Sequence, residues 1–532
     1  MFAAVVGSYA ALALAGFVWD DIPLVVNNTL TGEPSNLPLF FQVDLWETAG
    51  GVESASGYYR PLVLVSLALD RVLWGLSALG HHLHSLAWHV GASAVLLLLL
   101  RRLASPVGAL WGTALFALHP VQSEAVAWIA ARNDSMAALF VFAGVLALLD
   151  ERAHRWRLAL GGLAVLAGML SKESAVLAPV LLVLLDLARH GRVVGWRRHA
   201  VALGAVVVWF ALRTAASIEP ASVPDGAQLS WLVGNLHEVL AHYGLRLAWP
   251  WPLSVGQTAE YLSLSGLEVA GGLGVLCVFG VAAGVRGGRI SIAGLGLAVA
   301  AFVPALLAIS VRGQLGERYL YLPMAGLALA LAAAMPPSRR SLVALLPLCL
   351  ASVLVLHHRL PEWSSDITLW GAAVEDHPGP YTWTSLGHAL NEADRPAEAG
   401  PLFVASLEGD APYPDACVPS IGTPLKVGDL ELAARAAHLA AEACPDTAQL
   451  AGLRGMALLQ VGDFAGASRA IDAHRGELDL RLPLVEAALA LDSGDDERLA
   501  ALAASVPEPA RFLADARRLL EIGVVARDRL SQ

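Results

Sequence analysis

Residues 1–21 read MFAAVVGSYAALALAGFVWDD. Met1 to Val18 carry no charge, and Trp19-Asp20-Asp21 follow at once. An uncharged stretch of this length reads as a membrane-spanning helix. Two adjacent carboxylates are too costly to leave in hydrocarbon, so they must meet water, a partner or a substrate. Acids placed there point to chemistry at the membrane face. The segment lacks a basic n-region and a small-x-small cleavage site, so it reads as a retained helix.

The same pattern runs through most of the chain. Its 532 residues are 56% hydrophobic and only 15% charged, with a mean hydropathy of +0.59. A soluble domain carries about 25% charged residues. Long apolar runs fill residues 1–357, whereas 358–532 are Ala-rich, acidic and amphipathic. This predicts an all-α protein with a polytopic membrane domain over 1–357 and a soluble helical domain over 358–532. The net charge of −11 argues against a nucleic-acid partner.

About eleven spans are expected, at roughly 20 apolar residues each: 1–18, 83–100, 105–118, 135–149, 158–170, 174–188, 200–216, 264–285, 290–310, 320–335 and 341–357. With the N-terminus inside, Arg101-Arg102, Arg152 to Arg157, Arg189 to Arg198, Arg286 to Arg289 and Arg339-Arg340 all fall on one side. The gaps beginning at Trp19, His119, Ser171, Ser217, Val311 and His358 are less basic. Positive loops stay in the cytoplasm, which predicts N-in and C-out. Residues 61–79 are apolar but carry Asp70 and Arg71, and read as an amphipathic helix on the outer interface. Residues 19–82 then form one long outer loop.

In the tail a Gly-Asp turn recurs at 428–429, 462–463 and 494–495, with Ala393-Asp394 upstream. The Asp-to-Asp spacings are 35, 34 and 32 residues. A helix–turn–helix period near 34 is that of the tetratricopeptide repeat, a protein-binding architecture. An irregular Ala-rich helical bundle is the alternative. Cys417 and Cys444 sit at one end of a single expected hairpin, where either a disulfide or two buried thiols would fit.

The topology collects the polar outer-loop residues on one face. A carboxylate of the Asp20-Asp21 pair at a dry surface suits a general base. A continuous helix from Gln122 would stack Glu124, Trp128 and Arg132 on one face at i, i+4 and i+8. Lys172-Glu173 reads either as an internal pair or as a phosphate contact. Arg312, Arg318 and Tyr319 suit the grip of a phospholipid-like head group, or an interfacial anchor. His81, His82, His84 and His89 read as polar packing. His119 and Glu124 lack helical metal-ligand spacing, so no metal and no cofactor is expected.

In order, these residues resemble a known family. The carriers are Trp19-Asp20-Asp21; Tyr59-Arg60-Pro61 with Asp70 and Leu73-Trp74-Gly75; His119-Pro120 with Glu124 to Trp128, Arg132 and Asp134; Lys172-Glu173; Glu317 to Pro323; and the terminal repeats. The chain is similar to the transmembrane and TPR-containing protein O-mannosyltransferases and their bacterial relatives, within the GT-C glycosyltransferase fold. The resemblance implies transfer of a sugar from a polyprenyl-phosphate carrier to a Ser or Thr hydroxyl of a protein, with inversion. It implies Asp20 and Asp21 as the catalytic residues supplying the general base, Glu124, His119 and Arg132 as acceptor or support residues, and Arg318, Lys172, Tyr319 and Arg60 at the donor phosphate. The partners implied are the lipid-linked donor, membrane lipid and a protein acceptor held by the repeats. The implied location is a bacterial inner membrane. Two other readings stand beside it: a non-enzymatic membrane scaffold, and a GT-C enzyme with a lipid or glycan acceptor.

Overall fold

The computed structural model describes residues 1–49, 56–219, 223–409, 411–477 and 479–530. The chain is all-α, and its one sheet among the described residues is a two-stranded antiparallel pair. It divides into two compact units, Met1–Leu369 and Trp370–Gln532.

The first unit opens with α1 (Phe2–Ser8), a 3-10 turn over Ala10–Leu14 and extended backbone to Val18. The unbroken first span expected over 1–18 is therefore not formed. Ser8 Oγ bonds back to the Ala4 carbonyl at 2.7 Å, and Gly16 N–H donates to the Trp363 carbonyl. Both compete with continuation of the helix. Helix α2 (Pro61–Trp74) ends at Gly75, whose φ of +59° favours glycine. It buries Val63, Leu64, Leu67 and Asp70 and exposes Leu69, Val72, Leu73 and Trp74.

The next helices are α3 (Ala78–Leu100), α4 (Pro106–Leu118), a short α5 (Ser123–Ala127), α6 (Arg132–Leu148), α7 (Arg155–Met169), α8 (Leu177–His190) and α9 (Trp196–Ala215), and all but α5 lie close to expected spans. One helix was not anticipated. The expected outer gap after Ser217 holds α10 (Gly226–Ala248), started by a capping box between Asp225 and Gln228. Helix α11 (Gly266–Arg312) carries two expected spans on either side of Gly288, whose backbone is non-helical. Helices α12 (Tyr321–Ala334) and α13 (Arg339–Arg359) follow. Among the described residues, Ala78–Leu100, Ile129–Leu148, Trp196–Ala215, Gly266–Arg312 and Arg339–Ser364 are long and apolar enough to cross a bilayer. The chain is a multi-pass membrane protein.

Helices α11 and α12 meet backbone to backbone. A Cβ at Gly294 would lie 2.6 Å from Ala330 N, and one at Gly326 2.4 Å from Ala298 N. Small residues allow this approach in lipid, where close packing replaces the hydrophobic effect. The link between the two helices, Gly313 to Leu320, is thereby held at one end of the pair. Its strand β2 (Gln314–Leu315) pairs with β1 (Gln257–Thr258). Arg312, Glu317 and Arg318 all sit on this link or at its start.

In the second unit, helices α15 (Pro380–Glu392) to α22 (Asp496–Ala504) form successive hairpins, closed by α23 (Pro509–Leu530). At each Gly-Asp turn the glycine is left-handed: φ is +80° at Gly428, +86° at Gly462 and +72° at Gly494. The following aspartate then caps the next helix: Asp429, Asp463 and Asp495 accept from the N–H groups of Leu432, Gly466 and Arg498. The motif is thus a C-terminal stop joined to an N-terminal start. Cys417 and Cys444 form a disulfide between the first and last turns of one hairpin.

Candidate active site

A cavity of about 230 Å³ lies within the first unit, lined by Asp20, Arg60, Lys172, Arg312, Arg318 and Tyr319 among others. Its wall comes from six separate stretches of sequence.

Asp20 lines this cavity, and its carboxyl has no hydrogen-bond partner among the described residues. Burial raises its carboxyl to about 7, against the opposing pull of Arg318 and Arg312. Asp21, its neighbour, turns away and does not line the cavity. Its Oδ1 accepts from Ala130 N–H at 2.8 Å and its Oδ2 from Val18 N–H at 3.3 Å. Asp21 thus ties the first loop to the 119–134 segment. Trp19 adopts a left-handed φ of +54°, strained for a tryptophan, and donates its N–H to Asp366 Oδ1 at 2.7 Å. Its ring stacks on Trp128 with centroids 4.2 Å apart and planes within 4°.

The continuous face expected for Glu124, Trp128 and Arg132 does not exist. Helix α5 stops at Ala127, Trp128 is extended, and a 3-10 turn leads into α6. The three side chains go to different tasks. Glu124, fully buried, pairs through Oε1 with Arg318 Nη1 and accepts Arg318 N–H on Oε2 at 3.0 Å. Gly316 makes room for this pair, since a Cβ there would lie 2.5 Å from the Arg318 guanidinium. The pair holds Glu124 below its usual range and raises Arg318 further. The Arg318 guanidinium also lies 5.0 Å from the Trp128 ring centroid and 4.9 Å from that of Tyr319. Arg132 is absent from the cavity wall. It is buried against α2 and α3, bonded to Asp70 Oδ2 at 2.5 Å, Ser66 Oγ and the His81 carbonyl. His119 is also away from the cavity, with Nε2 facing the Leu247 carbonyl and Nδ1 accepting from Val121 N–H. Burial lowers it to about 4, so the imidazole is neutral.

Lys172 and Glu173 do not pair with each other. Lys172 Nζ bridges both oxygens of Asp134 at 2.6 and 2.7 Å. Glu173 receives Arg60 in a bidentate pair, Nη2 to Oε2 at 2.8 Å. Arg60, Lys172 and Arg318 are therefore each matched to a carboxylate. Arg312 has no carboxylate partner among the described residues, and its guanidinium lies 5.0 Å from the Tyr58 ring centroid. Arg60 lies 4.0 Å from that same ring.

Of the residues expected at a site, Asp20, Asn133, Asp134, Lys172, Arg312, Arg318, Tyr319 and Arg60 line this cavity, whereas Tyr58, which also lines it, was not expected there. The aromatic-basic run Tyr58-Tyr59-Arg60 was the available signal for Tyr58. The histidines serve packing: His82 Nε2 faces the Gly16 carbonyl, and His89 joins Tyr321 Oη to the Ala117 carbonyl. Among the described residues, no group of three or more His, Cys, Asp or Glu is arranged to hold a metal ion.

A polytopic all-α membrane unit with an acid and an uncommitted arginine in one cavity defines the class of molecule. Its relatives agree with the motif resemblance. The chain is 35% identical over 179 residues to the protein O-mannosyl-transferase Tmtc1 of Drosophila melanogaster, covering 32% of this chain and 20% of that protein. It is 28% identical over 131 residues to human protein O-mannosyl-transferase TMTC3, covering 25% of this chain and 14% of that one. The chain thus spans about a fifth or less of the length of these curated relatives. No family model matches. Among solved structures, ArnT of Cupriavidus metallidurans bound to undecaprenyl phosphate aligns over 86% of this chain and 79% of its own, with 16% identity and a TM-score of 0.40.

Proposed function

We propose that this protein is a GT-C type membrane glycosyltransferase. It moves a sugar, mannose by the resemblance, from a polyprenyl-phosphate carrier to a Ser or Thr hydroxyl of a protein. The observation that carries this reading is Asp20: a carboxyl without a hydrogen-bond partner, raised to about 7, in a cavity that also holds an unpaired arginine. A general base works best with a pKa near the operating pH.

The chemistry follows from the charges. The acceptor hydroxyl gives its proton to Asp20 as its oxygen attacks the anomeric carbon. The bond from that carbon to the phosphate oxygen breaks, and the lipid phosphate leaves with the electron pair. The departing polyprenyl phosphate monoester is a good leaving group, so stabilising its charge and positioning the hydroxyl supply most of the acceleration. Arg312 is the cation we assign to that charge, because Arg60, Lys172 and Arg318 already neutralise carboxylates. Those three then shape the cavity and set its field. An apolar cavity of about 460 Å³, lined by Phe279, Phe302 and Met324, shares Pro323 with the charged one and suits an isoprenoid chain.

In this reading the helical hairpins of the second unit are TPR-like and bind the acceptor protein. The active face and those hairpins lie outside a bacterial inner membrane, with the N-terminus inside. The test is sugar transfer in proteoliposomes from labelled polyprenyl-phosphate-mannose to a Ser/Thr-rich peptide. Transfer by the wild type and none by Asp20→Asn supports the proposal. Equal transfer by both removes the base, and no transfer from any polyprenyl-phosphate sugar by wild type removes the function.

A further inference from the structure

Behind Arg318 sits a second acid that the proposed chemistry does not use. Glu317 is buried at 5% exposure. Its Oε1 accepts the Ser254 N–H at 2.9 Å. Its Oε2 is sealed from solvent and faces no N–H or O–H donor among the described residues. What lies within hydrogen-bond reach is the carboxylate of Glu124. Two carboxylates cannot bond to each other, since neither has a proton to give. Glu124 is already ionised toward Arg318.

The geometry points to Glu317 as a positioning residue that donates its carboxyl O–H to Glu124 and so fixes the Glu124–Arg318 pair in the cavity wall. This rests on the glycosyltransferase reading only for its activity readout. Burial and the neighbouring Glu124 charge both raise Glu317, in keeping with the role. The other charged groups facing it are Arg359, at the end of α13, and Arg246, at the end of α10; both favour ionisation and are outweighed. Tyr243 of α10 completes the surround: its hydroxyl donates to the Gly316 carbonyl at 3.1 Å, beside the acid pair. Carboxylic acids sharing a dry site ionise one at a time, because the second charge is repelled by the first.

Gln has the same shape and donates from its amide without ever ionising. Glu317→Gln is therefore expected to keep transfer within about threefold of wild type. Glu317→Ala, which leaves Glu124 short of a donor, is expected to lose most of it. Wild type should lose rate on the alkaline side as Glu317 ionises, and Glu317→Gln should lack that limb while keeping the acid limb of Asp20.

A second measurement does not need activity. A carboxyl whose folded pKa is raised contributes stability below its unfolded pKa, about 4.3, and loses it as pH rises through the folded value. Thermal unfolding of the full chain in detergent should show wild type losing ground to Glu317→Gln as pH rises from about 5 to 9. A constant difference across that range, or a Glu317→Gln enzyme that is folded but inactive, overturns the inference. If wild type transfers no sugar at all, the functional reading fails, and the unfolding comparison still decides this one.

Discussion

Replacing Asp20 with Asn removes the one cavity acid without a hydrogen-bond partner and leaves its shape in place. General-base catalysis contributes roughly 10²–10⁴-fold, so the expected loss of kcat is of that size, about 3–5 kcal/mol at 1.36 kcal/mol per decade. Donor binding should hold or tighten, because Asp20 opposes no cation that it ion-pairs and its charge is felt by Arg318 and Arg312. The pH profile supplies a second, independent number. With a carboxyl at about 7, roughly a tenth is ionised at pH 6 and nine tenths at pH 8, since one pH unit is tenfold. Wild-type kcat/KM should therefore rise about tenfold over that interval, and the residual rate of Asp20→Asn should not. The folding control runs in a safe direction. A raised carboxyl loses stability as pH rises through its folded pKa, so Asp20→Asn should unfold no earlier than wild type at pH 8. Two results would refute the reasoning: an Asp20→Asn enzyme within threefold of wild type, or a mutant that retains the acid limb at the same midpoint.

Arg312→Gln should weaken binding of undecaprenyl phosphate by about tenfold or more while Arg312→Lys keeps part of it; equal binding by all three proteins, read by native mass spectrometry, would return the phosphate to Arg318 or Lys172. Arg318→Ala strands the fully buried Glu124 carboxylate, and breaking such a pair costs about 3–5 kcal/mol, so this variant should show a clearly lowered unfolding temperature where Asp20→Asn does not. Cys417→Ser opens the 27-residue separation closed by the disulfide, which should remove about 3–4 kcal/mol from that hairpin by loop entropy. Hydrogen exchange should quicken over residues 417–443 and remain unchanged across α3 to α6.

Much of the architecture was legible because membranes impose strong composition rules. The apolar runs after residue 80 became helices α3, α4 and α6 to α9 nearly where they were expected. The Gly-Asp turns were legible for a local reason: left-handed glycine and capping aspartate act within five residues. The exceptions were sites where a distant contact outbid local preference. The first segment, expected as one helix, ends in extended backbone where Gly16 N–H bonds to the Trp363 carbonyl. Helix α10 escaped notice because its polar and apolar residues alternate around it, so hydropathy alone does not mark it.

The sequence by itself determined the protein's class: an all-α chain with many apolar helices, acids at a membrane face and a repetitive helical tail. It also singled out charged residues that line the cavity, because charged groups are expensive beside hydrocarbon and those retained there stand out. Only the tertiary structure decided who partners whom. Lys172 and Glu173 are neighbours in sequence yet bind Asp134 and Arg60; Asp20 and Asp21 are neighbours yet one faces the cavity and the other the backbone. Ion pairing depends on separations of a few ångströms between segments hundreds of residues apart, as in Glu124 with Arg318. Residue spacing carries no information about such distances, and packing does.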